Sequence, residues 1–153
     1  MKKIIMVSLV LVFALSITIP VFAHCEIPCG IYHDRMRIHL IEEHIQTIEK
    51  SMKEIIRLSK EKEINYNQLV RWINNKEVHA NYIQEIVMQY FMTQRIKPMA
   101  DKDSDNYRKY IHELILLHEL LVYSMKAKQT TDLKNVGKLR SLLKDFEKSY
   151  FKK

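Results

Sequence analysis

The chain has 153 residues, 28% of them charged and 47% hydrophobic, with 25 Lys and Arg against 18 Asp and Glu. The formal net charge of +7 is spread among positions of both signs, which excludes a nucleic-acid stripe as the organising feature. A modest positive excess favours the approach of small anions, an effect that salt weakens.

The first segment reads as a secretion signal over residues 1–23. Lys2 and Lys3 form a basic start, Ile4 to Phe22 an uncharged apolar run, and Val21-Phe22-Ala23 a site for signal peptidase. An uncleaved anchor is the competing reading, because a run of this length also spans a bilayer with some tilt. Lipidation at Cys25 is disfavoured: it needs a small residue immediately before the cysteine, and His24 stands there. Cleavage after Ala23 leaves 130 residues, and the loss of Lys2 and Lys3 takes the charge to +5. That length suits one domain with a single core. Export then ends in a periplasm or outside the cell, with no membrane segment left.

After residue 23 only Gly30, Gly137, Pro28 and Pro98 interrupt the chain, so long helices are expected. From Asp34, a plausible N-cap, to about Lys62, the residues Met36, Ile38, Ile41, Ile45, Ile48, Met52, Ile55 and Ile56 recur at helical spacing. A second helix runs from about Asn65 to Arg95, with Leu69, Trp72, Ile73, Ile83, Ile86, Val87, Tyr90 and Phe91 as its apolar face; Pro98 and the polar stretch 101–105 end it. A third starts near Asp105 and carries Tyr107, Ile111, Leu114, Leu117, Leu120, Leu121 and Met125. A fourth follows Asp132 through Leu133, Val136, Leu139, Leu142, Leu143, Phe146 and Tyr150. Each helix can bury its face only against the others, so residues 33–153 are expected to form an all-α, antiparallel four-helix bundle.

Two familiar metal patterns fail on spacing. A di-iron bundle needs Glu-x-x-His on two helices, and no Glu here has His three residues later. His112 and His118 lie six residues apart, about 600° of helical rotation, and face away from each other. They are read with His33 and His44 as surface or partly buried structural histidines.

What remains is His24-Cys25-Glu26-Ile27-Pro28-Cys29-Gly30-Ile31-Tyr32, which holds both cysteines of the chain directly after the cleavage point. A Cys25–Cys29 disulfide is the bland reading, natural in an oxidising compartment, but so short a loop restricts little unfolded-state entropy. Cleavage exposes a different set of donors: the α-amine and imidazole of His24, the backbone nitrogen of Cys25 and two thiolates. Two nitrogens and two sulfurs in a plane suit nickel(II), with the imidazole available axially; zinc prefers a tetrahedral array, while copper competes by affinity. Pro28 and Gly30 supply a tight turn.

At these residues the sequence resembles the nickel-containing superoxide dismutase family, whose processed chains open with His-Cys-x-x-Pro-Cys-Gly-x-Tyr; every fixed position is filled here. The resemblance implies a metal-binding hook at 24–32, with His24, Cys25 and Cys29 as ligands of one nickel ion per subunit and no organic cofactor. It implies dismutation of two superoxide anions with two protons to dioxygen and hydrogen peroxide by nickel(II)/nickel(III) cycling. It also implies a homohexamer, and it places Tyr32 either as a catalytic residue beside the open face of the metal or as a packing residue before the first helix. Family members hold the axial imidazole with a Glu and an Arg, where a rough alignment puts His39 and His79; that departure bears on redox tuning more than on metal identity. The alternative function is an exported nickel- or copper-binding module without turnover.

Overall fold

The computed structural model describes Pro28 and residues 30–152. They form α1 (Asp34–Leu58), α2 (Tyr66–Glu85), a π-helical continuation of α2 (Ile86–Arg95), α3 (Asp105–Gln129) and α4 (Lys134–Phe151), with no strand among the described residues. Each helix packs on its neighbour in the chain and α4 returns to α1, which closes the ring. Short connections force sequential neighbours to run in opposite directions. The expected all-α bundle is therefore what forms.

The core is the sum of the four apolar faces. Ile41, Ile45, Ile48 and Met52 of α1 meet Ile83 of α2, Leu117 and Leu120 of α3, and Leu139 and Phe146 of α4, all fully buried. Phe91 packs edge-on against Phe146, with ring centres 5.0 Å apart, and ties the π segment to α4. Helical periodicity marks an apolar face but not how far a neighbour extends to cover it. Met36, Ile73, Met125 and Leu133, expected inside, are exposed, and Leu69 and Trp72 are only half-buried. Among the described residues, no helix is long and apolar enough to cross a membrane.

The second helix differs from expectation in kind. Its α-helical spacing ends at Glu85, and ten residues of π-helix follow. Ile96 N–H donates to the Phe91 carbonyl at 2.9 Å, while the Thr93 hydroxyl and the Gln94 amide return to the carbonyls of Met88 and Gln89, five residues back. The wider turn shifts the phase, so that Val87 and Phe91, and Tyr90 and Gln94, face inward at four-residue spacing. It also delivers Arg95 to the start of α1.

Among the described residues two ionisable side chains are buried, Lys76 and Glu113. Lys76, 4% exposed, donates from Nζ to the carbonyl of Ala127 at 2.9 Å and to that of Lys128. It thus neutralises orphan carbonyls at the C-terminal end of α3, where the helix dipole favours a cation.

Candidate functional site

His24, Cys25 and Cys29 lie outside the described residues, as does the proposed signal segment 1–23. What the structure describes is the turn closed by Pro28 and Ile31 and the flank of the bundle that follows it. Ile31 N–H donates to the Pro28 carbonyl at 2.7 Å, and Gly30 sits at φ +81°. This is the tight turn expected of Pro28 and Gly30. The third position of such a turn demands positive φ, which only glycine adopts without strain.

Tyr32 follows at the edge of the bundle, 38% exposed. Its ring stands edge-on to Tyr90, centres 5.8 Å apart, and the Arg95 guanidinium lies 4.3 Å from its centroid. An aromatic face against a guanidinium is an attractive contact, so Tyr32 does pack at the entrance to α1.

Beneath it lies a polar cluster that sequence reasoning missed. The N-cap of α1 is His33 and not the expected Asp34, its Nδ1 accepting from Met36 N–H at 3.2 Å. Asp34 is instead the first residue of α1, and its carboxylate turns inward. Arg95 donates to it twice, from Nε to Oδ1 and from a terminal nitrogen to Oδ2, both at 2.8 Å. Tyr90 donates to Oδ1 at 2.6 Å and Tyr150 to Oδ2 at 2.9 Å. Four donors on one carboxylate join the first turn of α1, the end of the π segment and the last turn of α4. Partial burial alone raises the acid's pKa, but the hydrogen bonds from Arg95, Tyr90 and Tyr150 and the guanidinium charge hold it below the usual carboxylate value. Burial and the Asp34 carboxylate push both Tyr90 and Tyr150 up to about 12, so these phenols stay protonated as donors. No local signal marks this cluster, because Tyr90, Arg95 and Tyr150 lie 56 to 116 residues beyond Asp34 in the chain.

Further along α1, the structure joins His44 to His79 with Nδ1 atoms 3.0 Å apart, so that one imidazole donates to the other. Tyr82 packs against both rings. Burial lowers the pKa of each; the neighbouring His79 lowers that of His44 further, and Glu43 opposes. His39 is exposed, and the imidazole that His79 meets is that of His44. His112 and His118 are both exposed, in line with the structural reading. Among the described residues, no group of three or more His, Cys, Asp or Glu is placed to hold a metal.

Between the His44–His79 pair and the turn at Pro28 opens a cavity of about 370 Å³, lined by Pro28, Arg37, His44, Tyr82, Glu85 and Tyr90 among others. Turn, polar cluster and cavity lie together on one flank of the all-α bundle.

Residues 20–153 match the family model described as nickel-containing superoxide dismutase, and the chain belongs to that family. Its members are oxidoreductases that act on superoxide. No curated protein and no solved structure matched the chain.

Proposed function

We propose that the protein is exported, cleaved after Ala23, and acts as a superoxide dismutase at the N-terminus so created, in a periplasm or outside the cell. The observation that carries this reading is the complete His24-Cys25-x-x-Pro28-Cys29-Gly30-x-Tyr32 motif directly after a signal pattern, inside the matched span. The donor set fits nickel: two thiolates, an amine, a backbone amide and an imidazole are soft and intermediate ligands. His24, Cys25 and Cys29 would hold one ion per subunit. When bound, nickel supplies a one-electron couple between its +2 and +3 states, which thiolate donation brings within reach.

The chain's own residues do the rest. The turn of Pro28 and Gly30 leads into the bundle, Asp34 and Arg95 fix the first turn of α1 behind it, and the positive excess draws the anion in. As in the family resemblance, six subunits assemble, which protects the hook from solvent.

The test is the N-terminal residue of native protein together with nickel content and superoxide loss. A start at His24, one nickel and nickel-dependent loss are expected. A start elsewhere removes the α-amine and ends the proposal. Metal without superoxide loss would point to a carrier of nickel or copper.

Two variants separate the roles of Tyr32. Tyr32→Phe keeps the ring between Tyr90 and Arg95 but removes the hydroxyl. If that hydroxyl orders water or substrate, turnover falls by roughly 10-fold or more, within the range for losing one positioned polar group, while nickel content is unchanged. Tyr32→Ala should in addition loosen nickel retention. Full activity in Tyr32→Phe would leave Tyr32 as a packing residue alone.

A further inference from the structure

Arg37 is out of keeping with the other arginines near the hook. Arg95 is bound by Asp34 and Arg35 faces Glu147, but the guanidinium of Arg37 has no ion pair or hydrogen bond among the described residues, and its Nε is buried without an acceptor. It stacks on Tyr90, 4.9 Å from the ring centroid, and lines the cavity beside Pro28. Leaving a buried donor unmade costs about 1–3 kcal/mol, so such a group calls for an explanation. Nε itself is closed off from an anion in the cavity, but the terminal N–H groups of the same guanidinium have no partner among the described residues and belong to a cavity-lining side chain; they are a planar array of donors with a fixed charge, and their bonds to an anion are charge-assisted.

We propose that Arg37 is the anion-recognition residue of the cavity beside the hook, which seats the small anionic substrate on its way to the metal. The substrate role rests on the superoxide dismutase reading above; the anion seat itself does not. The other ionisable groups of the cavity wall fit this assignment. His44 is turned toward His79, and Glu85, exposed on the rim at the end of α2, makes no ion pair with Arg37. Arg37 is therefore the one permanent cation of the described lining, and Glu85 is the group that opposes an incoming anion. Tyr90 belongs to both the cavity and the Asp34 cluster, so the cluster also fixes the ring on which the Arg37 guanidinium stacks.

The probe is azide, a small monovalent anion, titrated into the nickel-loaded processed protein while the ring resonances of His44 and Tyr90 are followed by NMR. Saturable shifts are expected in the wild type; Arg37→Gln should weaken azide at least about 10-fold, Arg37→Lys less, and Glu85→Gln should tighten it. In parallel, the second-order rate of superoxide loss should fall about 10-fold in Arg37→Gln at low salt and lose part of its ionic-strength dependence, as expected when a focusing charge is removed. Equal azide affinity in wild type and Arg37→Gln overturns the seat. A lower rate with unchanged azide affinity and salt dependence overturns it too, because Arg37 would then act only by packing on Tyr90. If the wild type binds azide through Arg37 but shows no nickel-dependent superoxide loss, the dismutase reading fails and the anion seat stands.

Discussion

Replacement of Cys25 or Cys29 by Ser is expected to abolish nickel-dependent superoxide loss while the bundle stays folded. A serine hydroxyl is a hard, weakly acidic donor, and it can neither hold nickel as a thiolate does nor make the +3 state accessible. Even outer partners of metal ligands cost roughly 10- to 100-fold in affinity or activity when removed; loss of a direct ligand should exceed that. The fold should be indifferent, because among the described residues the buried core is built from Ile38 to Phe146. The readouts are nickel per subunit, superoxide loss and thermal melting, with the melting temperature unchanged within a few degrees. Retained nickel-dependent activity in either variant would overturn the assignment of the ligands. The same two variants bear on the disulfide alternative: a wild-type Cys25–Cys29 bridge shows as a two-proton deficit in intact mass, and its removal should barely alter stability, since it closes a very short loop.

The bundle was legible because helical periodicity is a local signal. Ile41, Ile45, Ile48 and Met52, or Leu139, Leu142 and Phe146, announce their buried face within a few turns. The His24 to Tyr32 motif is readable for a different reason: its residues are contiguous, so it needs no tertiary partner to be recognised. The polar cluster around Asp34 is not. Asp34 looks like any helix-initiating acid until Arg95 and Tyr150, 61 and 116 residues away, reach it. Arg95 itself arrives only because the second helix widens after Glu85, and the run of apolar and polar residues from Ile86 to Arg95 is compatible with both helical periods over so short a span. Likewise His79 could be assigned from the sequence to a place near the hook, but its partner His44 emerges only when α1 and α2 are packed. Arg37 carried no sequence signal, since an arginine on an amphipathic helix is ordinarily a solvated one.

Substituting Asp34 by Asn should be among the most destabilising single changes in the bundle that leave its core volume intact. Asn keeps one carbonyl oxygen as acceptor but turns an NH₂ toward Arg95 and Tyr150, which are donors, and it removes the charge that balances the guanidinium. The pair is neither fully exposed nor fully buried, with side chains 18% and 26% accessible. The penalty therefore falls between the 0–1 kcal/mol of a surface pair and the 3–5 kcal/mol of breaking a buried one, at about 2–3 kcal/mol. For a chain of this size that lowers the melting temperature by roughly 10 °C. Acid should reveal the same linkage. The folded-state pKa of Asp34 lies below its unfolded value, so its contribution is complete above about pH 4 and is lost as pH falls through the lower folded value. Wild type and Asp34→Asn should accordingly converge in stability toward low pH. The consequence for the hook is separable from the consequence for the fold. Without Asp34 the guanidinium under Tyr32 is no longer fixed, and the Ile31 amide, whose proton is held by the Pro28 carbonyl, should exchange faster even well below the melting temperature. A double variant, Asp34→Leu with Arg95→Met, should recover part of the stability, because replacing both partners leaves no unpaired charge, yet it should not restore protection at Ile31. Recovery of both together would show that the cluster serves the bundle alone and has no part in holding the hook.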